Sequence, residues 1–334
     1  RIDAYRKIAA DRGLDAGALL FLGNVSDSEL IDLYAGAALV VQPSLMEGFG
    51  LTVLEAMACR APVIAAEAGA IPEILVDPAC MFDPTSVEEM TERMTAALRG
   101  TLYDHAKIAA NDARVRDFTW EKTARIFREA SEAIARGPEK SAVAYAFERL
   151  PAPLRAEAAT ALALAEPGPR TGERRLLIDG TATMIVDHKT GIQRVVNRTF
   201  ANMDAFRACG TETLAIYCDD EQGFHGARGW TGQPVPKTPQ NHIVPRFLAW
   251  RMHGCEVVSC LYDLVPMRTP AFCHSGMPPA FVAWFRSALA HSTGFVCISR
   301  AVADELHDLL VGIDFPRPMK IGHWPLGADF GTGL

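Results

Sequence analysis

The apolar, β-branched run Leu39-Val40-Val41 is followed by Gln42-Pro43-Ser44, which cannot continue a central strand because proline brings no N–H to a ladder. A loop, Glu47-Gly48-Phe49-Gly50, comes next. From Leu51 to Arg60 the apolar positions Leu51, Leu54 and Ala58 share one side of a predicted helix, which Pro62 ends. Val63-Ile64-Ala65-Ala66 then reads as a second buried strand. Strand, glycine loop, helix, strand is the half-unit of a doubly wound α/β sheet.

The same periodicities place the other elements. Residues 1–12 predict a basic, amphipathic helix, and Leu19-Leu20-Phe21-Leu22 a short buried strand closed by Gly23. Ser26 with Glu29 fits a capping box that opens a helix through Leu33-Tyr34. Ser86 with Glu89 fits a second, with a helix to Arg99-Gly100, and Phe118-Thr119-Trp120 begins another helix to about Ala135. Between Gly137 and Arg175, Pro138, Pro151, Pro153, Pro167 and Pro169 stand among alanines and charges. This stretch reads as a linker, with one helix over Leu154–Leu164. A new α/β pattern follows: strands at Leu176–Ile178, Thr213–Tyr217, Cys255–Leu261 and Gly294–Ile298, and helices from Thr190-Gly191, over Phe281–Ala290, and over Ala301–Leu310 behind Ser299. Residues 218–254 are short and turn-rich for such a unit, which predicts a missing or degraded strand.

Length and composition narrow the class. A chain of 334 residues suggests about two domains. With 49% hydrophobic and 22% charged residues it has the balance of a globular protein. The net charge of −7, with no basic stripe, argues against nucleic acid as a partner. Eight cysteines without C-x-x-C spacing, several in apolar strands, predict buried reduced thiols and a cytoplasmic setting. No histidine spacing suggests a metal site. No apolar run reaches the about 18 residues a membrane helix needs, and no signal-peptide pattern is seen. The chain starts with Arg1 inside a predicted helix and stops at GADFGTGL, which reads as an internal piece of a longer polypeptide.

The chemistry collects at the carboxyl end of the 39–41 strand. Gly48 and Gly50 let backbone N–H groups approach a ligand closely. The helix from Leu51 points its unpaired N–H groups and positive dipole end the same way, which suits a diphosphate. Glu47 and Glu55 flank the loop, and a carboxylate accepts hydrogen bonds from vicinal hydroxyls of a sugar or ribose. Taken as a lone glycine loop, the same residues also fit a simple chain turn with a solvated Glu55.

The full string Glu47-x7-Glu55 with Gly-Phe-Gly-Leu between resembles the nucleotide-sugar motif of the family 4 retaining glycosyltransferases. The resemblance extends through FLGNVSDSELIDLYAGAALVVQPS before it and GAIPEILVDPACMFDP after it, over most of residues 19–130. It implies a GT-B fold of two Rossmann-like domains. It makes Glu47 the candidate catalytic carboxylate, and gives Glu47, Gly48, Phe49, Gly50 and Leu51 the donor sugar and phosphates and Glu55 the ribose. Two positions depart from the family pattern without touching those contacts: Thr52 replaces a proline and Arg60 a glycine. Gly69 and Ala70 lie near the donor site by the same resemblance, or are a plain strand-to-helix connection.

The second half resembles the amino-terminal, acceptor-binding domain of another such enzyme, through TGIQRVV, YDLVP, the F-x-x-W-F helix, CISRAVADEL and PLGAD. That implies a glycine loop near the donor phosphates at Thr190-Gly191 and puts Asp263 at the mouth of the cleft. Asp263 equally fits an Asx turn before Pro266, and His188 either contacts phosphate or is simply solvated. In the resembled family the acceptor domain precedes the donor domain, so the order is reversed here. The simplest account is a tandem enzyme cut in mid-module: residues 1–137 end one transferase, 138–173 link, and 174–334 begin the next, both domains incomplete. A circular permutation with facing halves is the alternative. The resemblance implies a metal-independent enzyme without cofactor, using an NDP-sugar such as GDP-mannose and acting on a polysaccharide or lipid-linked glycan of the lipopolysaccharide type. It places the parent protein in the cytoplasm, or peripherally on the inner face of the membrane. The Arg and Lys that neutralise the diphosphate in that family fall before Arg1, so the isolated piece is expected to bind nucleotide weakly. An inactive fragment serving as a sugar-nucleotide-binding or assembly module is the alternative, while a nicotinamide-dependent oxidoreductase on a similar open sheet fails because no G-x-G-x-x-G follows either domain's first strand.

Overall fold

A computed structural model describes residues 2–23, 25–135, 175–179, 191–208, 212–219, 223–226, 256–313 and 319–327. The linker 138–173 with its expected helix, His188 and Thr190 lie outside the described residues.

The first half runs α1 (Ile2–Asp11), α2 (Asp27–Gly36), β1 (Val40–Gln42), α3 (Leu51–Ala58), β2 (Val63–Ala66), α4 (Ile71–Ile74), β3 (Met81–Phe82), α5 (Val87–Leu98), α6 (His105–Val115) and α7 (Trp120–Ala135). Its three strands form a parallel sheet in the order β1-β2-β3. All four side chains of β2 are buried, as befits the middle strand of a parallel sheet covered on both faces. Ser26 forms the full capping box with Glu29. At α5 only half of the second box exists: Ser86 accepts the Glu89 N–H, but the Glu89 carboxylate takes the N–H of Asp83.

One expected element is absent. Leu19–Leu22 is not a strand and not buried, with Leu20 78% and Leu22 55% exposed. An apolar run becomes a strand only where a neighbour satisfies its N–H and C=O groups, and among the described residues the sheet of this half has no strand beyond β1. The ring of Phe21 instead lies against Tyr5 and under the Arg6 guanidinium of α1.

The second half comprises β4 (Arg175–Asp179), α8 (Gly191–Ala201), α9 (Met203–Ala208), β5 (Glu212–Asp219), β6 (Gly223–Gly226), β7 (Val258–Leu261), α10 (Val265–Arg268), α11 (Met277–His291), β8 (Gly294–Cys297), α12 (Arg300–Leu310) and β9 (Lys320–His323). Among the described residues the strands form two sheets, β4-β5-β6 and β7-β8-β9. The second is wholly parallel, and in the first β6 runs antiparallel to β5. The turn-rich region after Cys218 thus keeps a short strand, folded back on β5 as a hairpin arm.

The halves share one core. Helix α7 lies across β8 and β9, so close that a Cβ on Gly294 would stand 2.7 Å from the Ile134 side chain. Phe127 of α7 meets Trp324 edge to face at 4.8 Å and Phe206 at 6.0 Å. Gly327 is held against the Trp120 ring, where a Cβ would lie 2.8 Å from the indole. Val195, Val296, Ile298, Trp324 and Leu326 are buried in the same cluster as Phe49, Leu54, Met57 and Phe118. Thr123 donates its hydroxyl to the Pro325 carbonyl at 3.0 Å. Residues of both halves thus pack into this one cluster.

Candidate functional site

Strand β1 delivers the loop 43–50 to the carboxyl edge of its sheet, and α3 leaves from the same point. Gly50 is the N-cap of α3 with φ 100°, a left-handed conformation open to glycine; a Cβ there would meet Ile71 at 2.9 Å. Phe49 turns its ring into the core, 4% exposed and edge-on to Phe118, so only its backbone faces the loop. Leu51 is half-buried in the first turn of α3.

The Glu47 carboxylate accepts a hydrogen bond from Gln42 Nε2 at 3.2 Å, and the same amide donates to Ser44 Oγ at 2.7 Å. Burial lifts the Glu47 carboxyl above its ordinary value, while Gln42, Ser44 and the amides of Gly50 and Phe49 pull it back. The Glu47 carbonyl accepts the Ala70 N–H at 3.0 Å, and Gly69, at φ 56°, passes so close that a Cβ would collide with that carbonyl. Gly69 and Ala70 therefore act on the loop itself: they clamp the backbone of Glu47.

Glu55, one turn into α3, is 3% exposed. Its Oε1 receives Arg194 Nη2 of α8 at 2.6 Å and its Oε2 the Tyr34 hydroxyl at 3.2 Å. Burial raises the Glu55 carboxyl, and Arg194 and Tyr34 oppose the rise. Thr52, in the position where the resembled family has proline, puts its hydroxyl beside the Tyr34 phenol. Arg60, in place of a glycine, adopts φ 59° just past the end of α3.

The second half closes over this unit. Gly48 abuts β7's end: a Cβ on it would lie 2.5 Å from the Tyr262 carbonyl oxygen and 3.3 Å from Asp263 Cβ. Ser299 donates its hydroxyl to the Gly48 carbonyl at 2.6 Å while accepting the Val302 N–H that opens α12. Glu73 of α4 accepts the N–H groups of Arg300 at 3.1 Å and Ala301 at 2.7 Å, a carboxylate on a helix N-terminus. Asp263 forms the Asx turn, its Oδ1 accepting the Val265 N–H at 3.0 Å, and still borders Gly48; burial raises its carboxyl, and that N–H pulls it back. Gly191 begins α8, three residues before Arg194.

The structure thus brings Glu47, Gly48, Glu55 and Asp263 to one seam between the halves, with Gly69 and Ala70 behind it. The sequence reading missed Arg194, Ser299 as a contact of the loop, Tyr34, Gln42 and Glu73. Arg194 and Glu55 are 139 residues apart, and no local periodicity links them. Gln42 alone carried a local signal, a polar residue ending an apolar strand beside the loop. No group of three His, Cys, Asp or Glu side chains suited to a metal ion exists among the described residues. No helix among them is long and apolar enough to cross a membrane.

Residues 3–115 match the model of the family described as Glycosyl transferases group 1. Over its full length the chain is 25% identical to the serotype-specific mannosyltransferase WbdA of Escherichia coli, across 372 aligned residues that make up 46% of that protein. It is 35% identical to the O-antigen chain mannosyltransferase B of Escherichia coli over 111 residues, 33% of this chain and 29% of that protein. It is 38% identical to the MMP alpha-(1->4)-mannosyltransferase of Mycolicibacterium hassiacum over 109 residues, 30% of this chain and 25% of that one. The chain spans less than half the length of these curated relatives.

Proposed function

We propose, from the match of residues 3–115 to the group 1 glycosyl transferases, that this chain carries the donor half of an enzyme that moves a hexose from a nucleoside-diphosphate sugar to a growing polysaccharide or lipid-linked glycan. The observation that carries the proposal is the Glu47–Gly50 loop at a strand's carboxyl end, continuous with the N-terminus of α3 and with Glu55 one turn on. Open-sheet α/β folds bind their ligands at such ends. The relatives' names point to mannose, and GDP-mannose is the donor we propose.

In this reading Glu47 holds the transferred sugar through its hydroxyls, and the Gly48–Leu51 backbone faces the phosphates. Glu55 accepts the ribose hydroxyls. The departing diphosphate gathers charge that only cations and helix N-termini can meet without a metal. The Gly191 end of α8 stands near the donor phosphates, and Asp263 at the mouth of the cleft. The division into a donor domain (1–137), a linker (138–173) and the acceptor-type start of a second module (174–334) is supported by the end-to-end match: the same order of halves runs collinearly within a relative about twice as long. The parent protein works in the cytoplasm or against the inner face of the membrane, where a lipid-linked acceptor is presented.

A second reading, a non-catalytic sugar-nucleotide-binding or assembly module, is favoured by the burial of Glu55 under Arg194. Sugar transfer by the parent-length protein separates the two. With GDP-mannose and a mannan-type acceptor, Glu47→Gln is expected to lower kcat/KM by about 10²-fold. Turnover unaffected by that change, or seen only with other nucleotide sugars, would overturn the assignment of site or donor.

A further inference from the structure

We propose that Arg194 is a plug in the ribose site: its guanidinium holds the position on Glu55 that a nucleotide's vicinal hydroxyls must take, so that a nucleotide has to displace it to bind. This rests on the donor-site reading given above.

Glu55 is 3% exposed, and each of its oxygens already has a donor, Arg194 Nη2 at 2.6 Å and the Tyr34 hydroxyl at 3.2 Å. A ribose cannot reach a carboxylate so covered until one donor leaves. Tyr34 sits on α2, which packs on α3 within the same half. Arg194 comes from α8 of the other half and is still 35% exposed, so it has water to return to. It is the donor that can leave. A ligand that binds only molecules whose Arg194 has left Glu55 has its apparent affinity lowered in proportion to the fraction of such molecules. The contact also separates the fates of the two motif glutamates, because Glu47 is bonded within its own half and none of its partners is an arginine.

The test is calorimetric titration of the whole chain with GDP and with UDP. The proteins are the wild type, Arg194→Ala, Arg194→Lys and Glu47→Gln. Arg194→Met serves as a second neutral variant that keeps the aliphatic stem, should the alanine variant not fold. The plug predicts that the nucleotide bound by the wild type binds the neutral variants about tenfold more tightly, with Arg194→Lys close to wild type. Affinity unchanged or weakened in the neutral variants overturns it; weakening would make Arg194 a ligand of the nucleotide. If the wild type binds nucleotide and Glu47→Gln loses it while the neutral variants show no gain, the plug alone fails. If no protein in the set binds, or Glu47→Gln binds as well as wild type, the donor-site reading fails and the plug with it.

Discussion

Ser299 donates its hydroxyl to the carbonyl oxygen of Gly48 at 2.6 Å, joining two motifs that are 251 residues apart. The hydroxyl has a second task, since it also accepts the Val302 N–H at the start of α12. Ser299 is 1% exposed, so neither bond is shared with water. Ser299→Ala leaves both partners unsatisfied and is expected to lower stability by about 1–2 kcal/mol. Urea denaturation measures this, and a loss below a few tenths would mean that the seam does not depend on the contact.

Gly48 is needed for close approach. A Cβ would stand 2.5 Å from the Tyr262 carbonyl oxygen, a backbone atom that cannot swing away. Gly48→Ala is expected to cost about 1–3 kcal/mol and to part the halves at this point. Gly36 at the end of α2 is the control, because a Cβ there meets nothing within 4 Å. Gly36→Ala should be neutral or stabilising by up to about 1 kcal/mol. Equal effects of the two changes in thermal denaturation would contradict the packing described.

Arg60 holds a left-handed backbone, φ 59°, where a glycine suffers no clash between Cβ and carbonyl. Its ion pair with Asp112 spans 3.7 Å on a side chain 70% exposed, and such pairs contribute little. Arg60→Gly is therefore expected to raise stability by about 0.5–1 kcal/mol, partly offset by the freedom glycine gains in the unfolded chain. A fall in denaturation midpoint would show that the Arg60 side chain contributes more than its contacts suggest.

Glu47 and Glu55 both have carboxyls raised above 4.5 by burial. A group raised on folding binds its proton more tightly in the folded state. Its contribution to stability is complete below 4.5, its unfolded value, and is lost as pH rises through the folded value. Two carboxyls thus make the chain less stable as pH climbs from 4.5 through their raised values, and the double variant Glu47→Gln/Glu55→Gln should flatten that part of the curve. Asp77, lowered chiefly by its bond from Lys107, and Asp83, lowered by Thr85, act in the opposite sense: their contribution is lost as pH falls through their depressed values. Denaturation midpoints read across pH 4–7 decide it; parallel curves for variant and wild type would contradict the assignment.

The central unit was legible because its punctuation is local. Pro43 and Pro62, the glycines at 48 and 50 and the β-branched runs set β1, α3 and β2 to within two residues. The motif resemblance then placed Glu47 and Glu55 beside the loop. Leu19–Leu22 misled because hydrophobicity reports a wish for burial, while a strand also needs a partner ladder, and none is offered there. Of the Asp263 alternatives the Asx turn is seen directly, and the residue also borders Gly48. What the sequence could not give was the seam: Arg194 on Glu55, Ser299 on Gly48 and Glu73 on α12 join residues 139 to 251 positions apart, and only the fold brings them together.

Titration of this chain with GDP, UDP and their sugars, beside Glu55→Ala, tests the donor site most directly. The account predicts that one nucleotide binds and that the variant binds it about 1–3 kcal/mol more weakly, the value of hydrogen bonds to a charged acceptor. A nucleotide bound equally well by both proteins would place the donor somewhere other than the Glu47–Glu55 unit.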